Sequence, residues 1–444
     1  MRNNFKDHLK TGATVGGGMV LSKAFSTDKT NAQNKQIRIG FVGIGGRGSY
    51  HLDCALGIEG IEVPALCEIR EDRLNRAKTW VEESGRPTPN LYGKSETDFV
   101  RMCETEKLDV VICSTSWEWH APVCISSMKN GKNAVSEVPI VLTLEEAWEL
   151  VETAEKTGKW ATLGLEQAFV EGQGYLTLYN MVRQDIFGDI LQCESGYVHD
   201  LRKVKFDPEG EPWRLQHSID RNGNLYPDHP MSKFIPIMNI NHGDRIDYLS
   251  SMSSKTLALN EYAKKTFGAD NKYAQIKMKQ GDYNATILHT TNGNLITLNF
   301  DTNTPHPREF FRMQGTKGVF FINVSGTQTN LIYLDGISPQ EGQWEPADKY
   351  FEEYAHPLVK NYNPPPRKAI RGHGSGAGKT PLTWHRLTNA LREGKTTDYD
   401  IYDSITSSAI SPLTEKSVAN KSTPVEFPDF TKGKWKTRKL FEFI

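Results

Sequence analysis

The sequence carries no excess charge of either sign. Its 53 Lys and Arg stand against 54 Asp and Glu, a formal net charge of −1 over 444 residues. That balance gives no electrostatic case for a nucleic acid or an anionic membrane as partner. No run of about 18 apolar residues occurs, so nothing reads as a membrane span. Cysteine is scarce, with six residues, all between Cys54 and Cys193 and none in a CxxC pair. This argues against a zinc site and leaves buried free thiols as the plain reading, so no metal is expected. No internal repeat is present.

What the chain does have is length and aromatic residues. At 444 residues it is too long for one compact core and fits two domains with additions. Aromatics make up 10% of it, with nine Trp and sixteen Tyr. Such a supply suits stacking on sugar rings, and core packing uses it equally well. Residues 1–30 stand apart. Arg2, Phe5 and Lys10 precede a weakly apolar, glycine-rich run over residues 11–22, followed by a polar stretch. The segment is similar to a twin-arginine export signal, with one arginine where the signal has two. A periplasmic or otherwise exported protein is the expectation, and an unstructured tail on a cytoplasmic protein is the alternative.

From Gln36 onward the pattern alternates strand, turn and helix. Residues 37–42, 61–67, 108–114 and 133–137 are short apolar runs of the buried parallel type, and 160–165 closes the series. Helix-like segments at 49–56, 73–83, 121–128 and 144–156 lie between them, the last introduced by a capping box of Thr143 and Glu146. A Rossmann-type, doubly wound parallel sheet is expected over residues 36–168. The texture changes after about residue 185. Strand-like runs at 190–198, 255–262, 274–279, 309–313, 319–323 and 330–334 follow without long helices between them. Residues 286–300 alternate on both sides of Asn292-Gly293, the strongest local hairpin signal. An α+β domain with a large, mostly antiparallel open sheet is expected over 169–370, with one sheet face free for a ligand or a second subunit. The proline-rich 363–367 reads as a linker or lid. Helix-like 381–392 and 404–419 belong to a final segment, 371–444, expected to pack back on both domains.

One motif carries chemistry by itself. Gly43-Ile44-Gly45-Gly46-Arg47-Gly48 is a G-x-G-x-x-G that follows a buried strand and opens a helix. Glycines there allow a tight turn and close backbone approach, and a helix N-terminus favours a pyrophosphate. Glu68 stands 20 residues beyond Gly48, at the end of the next strand. A carboxylate at that place accepts from the adenosine ribose hydroxyls and repels a 2′-phosphate, so the expected cofactor is NAD rather than NADP.

Further segments give the chain a family likeness. They are Trp117-Glu118-Trp119-His120, Glu137-Val138-Pro139, Asn180 to Arg183, His199 to Arg202, Arg221 to His229, Met238 to Asn241 and Pro428 to Gly433. With these the chain resembles the glucose–fructose oxidoreductase/inositol dehydrogenase superfamily over residues 36–430. Within it, the chain resembles the NAD-dependent α-N-acetylgalactosaminidases. The resemblance implies that Trp117, Trp119, His120, Glu137, Val138 and Gln167 join Gly43, Gly45, Gly46, Arg47, Gly48 and Glu68 at the NAD site. It also implies that Arg214 and the segment Tyr226, Pro227, Asp228 and His229 meet the sugar. Ordinary sugar dehydrogenases of the superfamily have Glu-Lys-Pro where this chain has Glu137-Val138-Pro139. A valine cannot move the hydroxyl proton, which favours the glycosidase branch.

In that branch the resemblance implies a cycle. Hydride leaves carbon 3, the ketone acidifies the carbon 2 proton, the leaving group is eliminated, water adds at carbon 1, and the hydride returns. Paired carboxylates are then not required, and no convincing pair is evident. His229 is the candidate for the carbon 3 hydroxyl proton, since imidazole titrates near neutrality; filling a turn beside Pro227 and Pro230 is the bland reading. Tyr226 orients the sugar or carries a proton, or else packs in the core. Arg214 beside Trp213 suits a hydroxyl or acetamido clamp, or else is a surface residue. Of His199 and Asp200, adjacent on a strand, at most one points into a site. His373, between Gly372 and Gly374, approaches a ligand or belongs to a plain loop.

Three departures fall on the sugar side. The family's carbon 2 tyrosine has no counterpart in Glu166 to Glu171, which leaves Glu171 or Tyr175 as the base. A second family tyrosine corresponds to Arg308. After His373 the family's Gly-Gly-Met-Asp is replaced by Gly374-Ser375-Gly376-Ala377. A carboxylate and an arginine in place of two tyrosines point to a different sugar, one with an acidic group. Three functions stay open: a glycosidase with catalytic NAD, a net NAD-dependent sugar 3-dehydrogenase, and a non-catalytic NAD- and sugar-binding protein.

Overall fold

Buried apolar runs build the first sheet. In the computed structural model, which describes residues 35–165, 173–307, 310–323, 330–363 and 381–443, six strands lie side by side. They are Ile37–Val42 (β1), Ile61–Cys67 (β2), Asn90–Tyr92 (β3), Val110–Cys113 (β4), Asn133–Ser136 (β5) and Ala161–Thr162 (β6), in the order β3-β2-β1-β4-β5-β6. All neighbours are parallel. Helices Gly46–Leu56, Glu71–Glu83, Asp98–Thr105, His120–Lys129 and Leu144–Thr157 connect them. Cover on both faces is why β4 is wholly buried and apolar. The capping box at Thr143 forms as expected, with the Thr143 side chain on the Glu146 amide and Glu146 reaching back. Strand order reverses between β1 and β4, and a ligand crevice belongs at the carboxyl ends of those two strands.

The second sheet has nine strands. They are Ile190–Val198 (β7), Ile246–Ser253 (β8), Asn284–Thr290 (β9), Leu295–Asp301 (β10), Phe310–Gly315 (β11), Gly318–Asn323 (β12), Leu331–Leu334 (β13), Glu345–Pro346 (β14) and Val425–Glu426 (β15). Their order is β14-β13-β12-β11-β7-β10-β9-β8-β15. Only β7 and β10 pair in parallel; the other neighbours are antiparallel. The hairpin β9–β10 turns at Asn292-Gly293, where Gly293 takes a φ of 88° that a side chain would oppose. One face packs on helices Asp228–Met238 and Ile401–Ala419. The other leaves Tyr248, Met252, Ile287 and Leu295 exposed.

Helix Ile401–Ala419 buries hydroxyls as well as methyls, and these satisfy backbone amides of both sheets' surroundings. Ser404 Oγ accepts from Leu163 N and Ser408 Oγ from Ile140 N, both at 3.0 Å, on the first-sheet side. Thr414 Oγ1 accepts from Asn224 N and Ser417 Oγ from Ser251 N, both at 2.9 Å, on the second.

Two expected strands are not strands. Residues 255–262 run into helix Ala258–Phe267, where Leu259 and Ala263 sit one turn apart and bury against Phe206 and Leu215. Residues 274–279 follow the short helix Lys272–Gln275, started by the Asn271 side chain on the Tyr273 amide. In both stretches the strand-like reading lost to packing on that small cluster. Conversely β8 was not foreseen, because a register shift between Ile246 and Tyr248 breaks its period of two. All six cysteines are buried and free. The export-signal reading of residues 1–30, and the readings of Gln167, Glu171, Arg308 and His373, lie outside the described residues.

Candidate active site

The glycine loop leaves β1 through Gly43, whose N–H donates to Cys67 O at 2.9 Å and whose φ is 79°. A Cβ on Gly43 would sit 2.7 Å from the Ser114 carbonyl. A Cβ on Gly48 would lie 2.9 Å from the Gly43 carbonyl carbon and closer still to its oxygen. Both glycines are therefore required by the backbone's own packing. Gly45 differs, since a Cβ there meets only the tip of Arg73, at 3.1 Å. Its bareness serves the space in front of the loop, where a pyrophosphate sits on such a turn. Gly46 and Arg47 open the helix.

Glu68 turns toward this loop. Its carboxylate accepts from Ile44 N at 2.7 Å and from Arg70 N at 3.0 Å. Each oxygen retains a lone pair for a ribose hydroxyl. Glu137, after β5, accepts from His51 Nε2 at 2.5 Å and has Arg47 Nε at 3.6 Å. Burial pushes its carboxyl up, but Arg47 and His51 outweigh burial and hold it at about 2. Burial keeps His51 below its usual range, so a neutral imidazole donates to a charged carboxylate. Val138 is buried beside it, before a cis bond to Pro139.

His120, expected at the cofactor, is placed otherwise. Its ring is buried with Nδ1 2.7 Å from Pro139 O and Nε2 3.1 Å from Thr115 O. It braces the turn after β5 against the turn after β4. Trp119 packs edge-on to Phe99, and Trp117 leans toward the second domain.

On that side the rings converge. Trp117 stacks on Tyr226 with centroids 5.4 Å apart and lies 4.6 Å from His217. Tyr226 meets Tyr197 at 4.5 Å and His229 at 4.8 Å, and His229 stacks on Tyr197 at 4.9 Å. The Arg214 guanidinium faces Trp213 at 4.4 Å, Trp117 at 5.3 Å and Tyr226 at 5.4 Å, and Nε donates to Glu211. The surface-residue alternative for Arg214 falls away, because its side chain is mostly buried. Pro227 precedes helix Asp228–Met238, so His229 sits in a first helical turn rather than a loop. Asp228, expected on the sugar, is instead fully buried and accepts from Ser408 Oγ.

One other expectation, that of Tyr175, is corrected, while His199 and Asp200 turn to different partners. Asp200 forms a paired contact with Arg202, and His199 Nδ1 lies 3.2 Å from Tyr197 OH. Tyr175 is no candidate base, since its hydroxyl donates to Lys233 O inside the core and burial holds its proton. The structure adds Tyr197, Lys205 and His217, which the motif reading missed. His217 falls three residues after Arg214 and four after Trp213, a helical spacing that was there to be read. Burial, then Arg221 and Arg214, lower His217 to about 4, so it is neutral near pH 7. Lys205 has no sequence signal; its burial arises only from tertiary packing.

Known proteins agree with this architecture. Residues 37–165 match the oxidoreductase family with an NAD-binding Rossmann fold, and residues 172–437 match the glycosyl hydrolase 109 C-terminal domain. A glycosyl hydrolase family 109 protein of Shewanella putrefaciens is 37% identical over 408 residues, 91% of this chain and 87% of that one. One from Shewanella pealeana is 36% identical over the full length of both. In fold the chain is similar to a levoglucosan dehydrogenase solved with NADH and levoglucosan, at a TM-score of 0.67 and 17% identity over 89% of this chain and all of that one. It is also similar to an inositol dehydrogenase homolog of Azotobacter vinelandii solved with NAD+, at a TM-score of 0.65 and 17% identity over 88% and 98%. Residues 37–165 are thus an NAD-binding Rossmann domain, and the molecule is an NAD-dependent enzyme of the glycosidase and sugar oxidoreductase kind.

Proposed function

The chain belongs to the glycosyl hydrolase 109 family, and on that premise we propose that it is an NAD-dependent glycosidase. It cleaves glycosides by transient oxidation at carbon 3, elimination, water addition and re-reduction, with an α-N-acetylgalactosaminide as the first substrate to test. The observation that carries this reading is Val138, buried and apolar beside Glu137, where the superfamily's dehydrogenases keep a proton-moving lysine. When bound, NAD takes up and returns the hydride.

The chain's own residues do the rest. Gly45 admits the pyrophosphate, Glu68 holds the ribose, and Glu137 fixes Arg47 and His51 beside the loop. Arg214, its guanidinium over the stacked rings of Trp117 and Tyr226, clamps a hydroxyl or acetamido oxygen of the sugar. His229 takes the carbon 3 hydroxyl proton and gives it back. Glu171 acts on the carbon 2 proton. Export by the amino-terminal segment and association of two copies through the open sheet face belong to the same reading. Periplasmic fractionation tests the first. Sedimentation of a variant with Ile287→Asp tests the second, and an unchanged mass removes that face as an interface.

The decisive assay uses purified protein and a nitrophenyl α-N-acetylgalactosaminide with no added cofactor. Many turnovers of nitrophenol without accumulation of NADH are expected. NADH formed only when NAD is supplied, with the glycosidic bond intact, moves the enzyme to the dehydrogenase reading favoured by the missing tyrosine between Glu166 and Glu171.

A further inference from the structure

Three lysines are buried among the described residues, and two of them spend their charge on the fold. Lys205 donates from Nζ to Ser218 Oγ at 2.9 Å, Thr302 Oγ1 at 2.8 Å and Asn303 Oδ1 at 2.6 Å. Lys132 donates to Asn130 O at 2.8 Å. Lys233, on the helix Asp228–Met238, is 8% exposed, and its Nζ has no hydrogen-bond or ion-pair partner among the described residues. Nor is that Nζ sealed in, as the Gln280 amide nitrogen is; it opens on space that a small group can enter. A buried cation without a counter-charge costs stability, and groups so placed cluster where a ligand's charge arrives.

Lys233 stands four residues after His229. At about 100° per residue it projects about 40° from His229 and about 100° from Phe234. His229 stacks on Tyr197 of β7 and Phe234 meets Phe311 of β11 at 5.6 Å, so Lys233 faces the sheet between those two rings. Helical side chains lean toward the N-terminus, which carries the stem of Lys233 back along the helix toward His229. The rise over four residues is about 6 Å, a span that the four-carbon stem covers. That end of the helix is tied to the turn holding Val138, since Ser408 Oγ accepts from Ile140 N at 3.0 Å and donates to Asp228. Val138 leaves the turn without a cation, and Lys233 leans toward it from the helix.

We propose that Lys233 is a further catalytic group of the sugar site, its ammonium donating to the oxygen on carbon 3. The role rests on oxidation at carbon 3, the first step of the function proposed above. His229 takes the hydroxyl proton as the hydride leaves, and Lys233 donates to the ketone oxygen so formed. When the carbon 2 proton is removed, its electron pair forms the carbon 2–carbon 3 double bond and the ketone oxygen becomes an enolate. The ammonium meets that developing charge in a place with little water. The pair then returns to make the carbon 1–carbon 2 double bond, and the glycosidic oxygen leaves with its bonding pair and the proton taken from carbon 2.

The test sets Lys233→Met, which keeps the length and the apolar stem, against the parent, both loaded with NAD. Loss of an uncompensated charge should leave the melting point unchanged or raise it by about 1–3 °C. With the nitrophenyl α-N-acetylgalactosaminide, kcat should fall by about 100-fold or more while KM stays within about threefold, the mark of a contact made as charge develops. Melting lowered by more than about 3 °C makes Lys233 a structural residue. A raised KM with kcat kept makes it a contact to the resting sugar, and an unchanged kcat means that it meets no reacting oxygen. Each of these overturns the proposal. Oxidation at carbon 3 opens both the hydrolytic and the dehydrogenase course, so kcat is read as nitrophenol release in the first and as NADH formation in the second. A parent that forms NADH with the bond intact rejects the glycosidase and still tests Lys233 by the same ratio. A parent that cleaves, beside a variant that cleaves as fast, rejects Lys233 alone. A parent with neither activity overturns both.

Discussion

Gly45 and Gly48 invite a paired experiment, because the structure gives them different reasons to be glycine. Gly48→Ala puts a methyl 2.9 Å from the Gly43 carbonyl carbon, backbone against backbone. Neither strand β1 nor the helix Gly46–Leu56 yields easily, so the loop must shift, an overpacking cost of about 2–3 kcal/mol. At roughly 2–4 °C per kcal/mol for a domain of this size, melting should fall by about 4–12 °C. Gly45→Val places its side chain only against the movable end of Arg73, 3.1 Å from the Cβ, so melting of NAD-stripped protein should change by less than about 2 °C. Its methyls instead occupy the space in front of the loop, and NAD affinity should drop by about 100-fold or more. The assay is melting of stripped protein beside the NAD content of protein as purified. Full NAD retention by Gly45→Val refutes the loop assignment. Equal destabilisation of the two variants refutes the division of labour between the glycines.

His229→Ala should lower turnover of a cleavable glycoside by about 100-fold while leaving bound NAD unchanged; near-normal turnover removes it from proton transfer. Glu137→Gln should cost about 3 kcal/mol near neutral pH, because it strips the charge that Arg47 and His51 face. The folded carboxyl is lowered from 4.5 to about 2, so its contribution is full above 4.5 and lost as pH falls through 2. Denaturant melts of both proteins should converge over that interval, and a gap that persists at pH 2 contradicts the cause given. Ser408→Ala removes the acceptor of the buried Ile140 amide and one donor to Asp228, at a cost of about 1–3 kcal/mol. A melting point equal to that of the parent would mean that the hydroxyl ties nothing together.

The parallel half was legible because each of its strands is a compact apolar run between helices, and the hairpin because Asn292-Gly293 permits the one turn it needs. Legibility ended where polar atoms are buried. β8 carries Ser251 on its inner face, held by Thr286 Oγ1 at 2.9 Å, so its buried side does not read as apolar. The helix Ala258–Phe267 shows one face of only two buried residues, too few to mark a period of 3.6. In the site, Trp117, Tyr226 and His229 came from the family resemblance, and their meeting as one stack needed coordinates. Lys205 was illegible in principle, since nothing local distinguishes a lysine that will be buried by Ser218, Thr302 and Asn303 from one on the surface.

Hydride transfer between a cofactor on one sheet and a sugar on another demands that the two be held to within a fraction of an ångström. The chain joins the two sides with hydroxyls as well as apolar area. Ile140 is two residues past Val138 in the turn that carries Glu137, and Asp228 is next to His229. Ser408 Oγ accepts from the first and donates to the second. A single side chain of the helix Ile401–Ala419 thus spans from the turn that carries Glu137 to the helix that carries His229. Ser404 and Thr414, on the same helix, repeat the tie at Leu163 and Asn224. Apolar packing alone would let the sheets slide at little cost, whereas each of these bonds has one geometry and no solvent to replace it. The buried serines and threonines of this helix thus fix how the surroundings of the two sheets sit against each other.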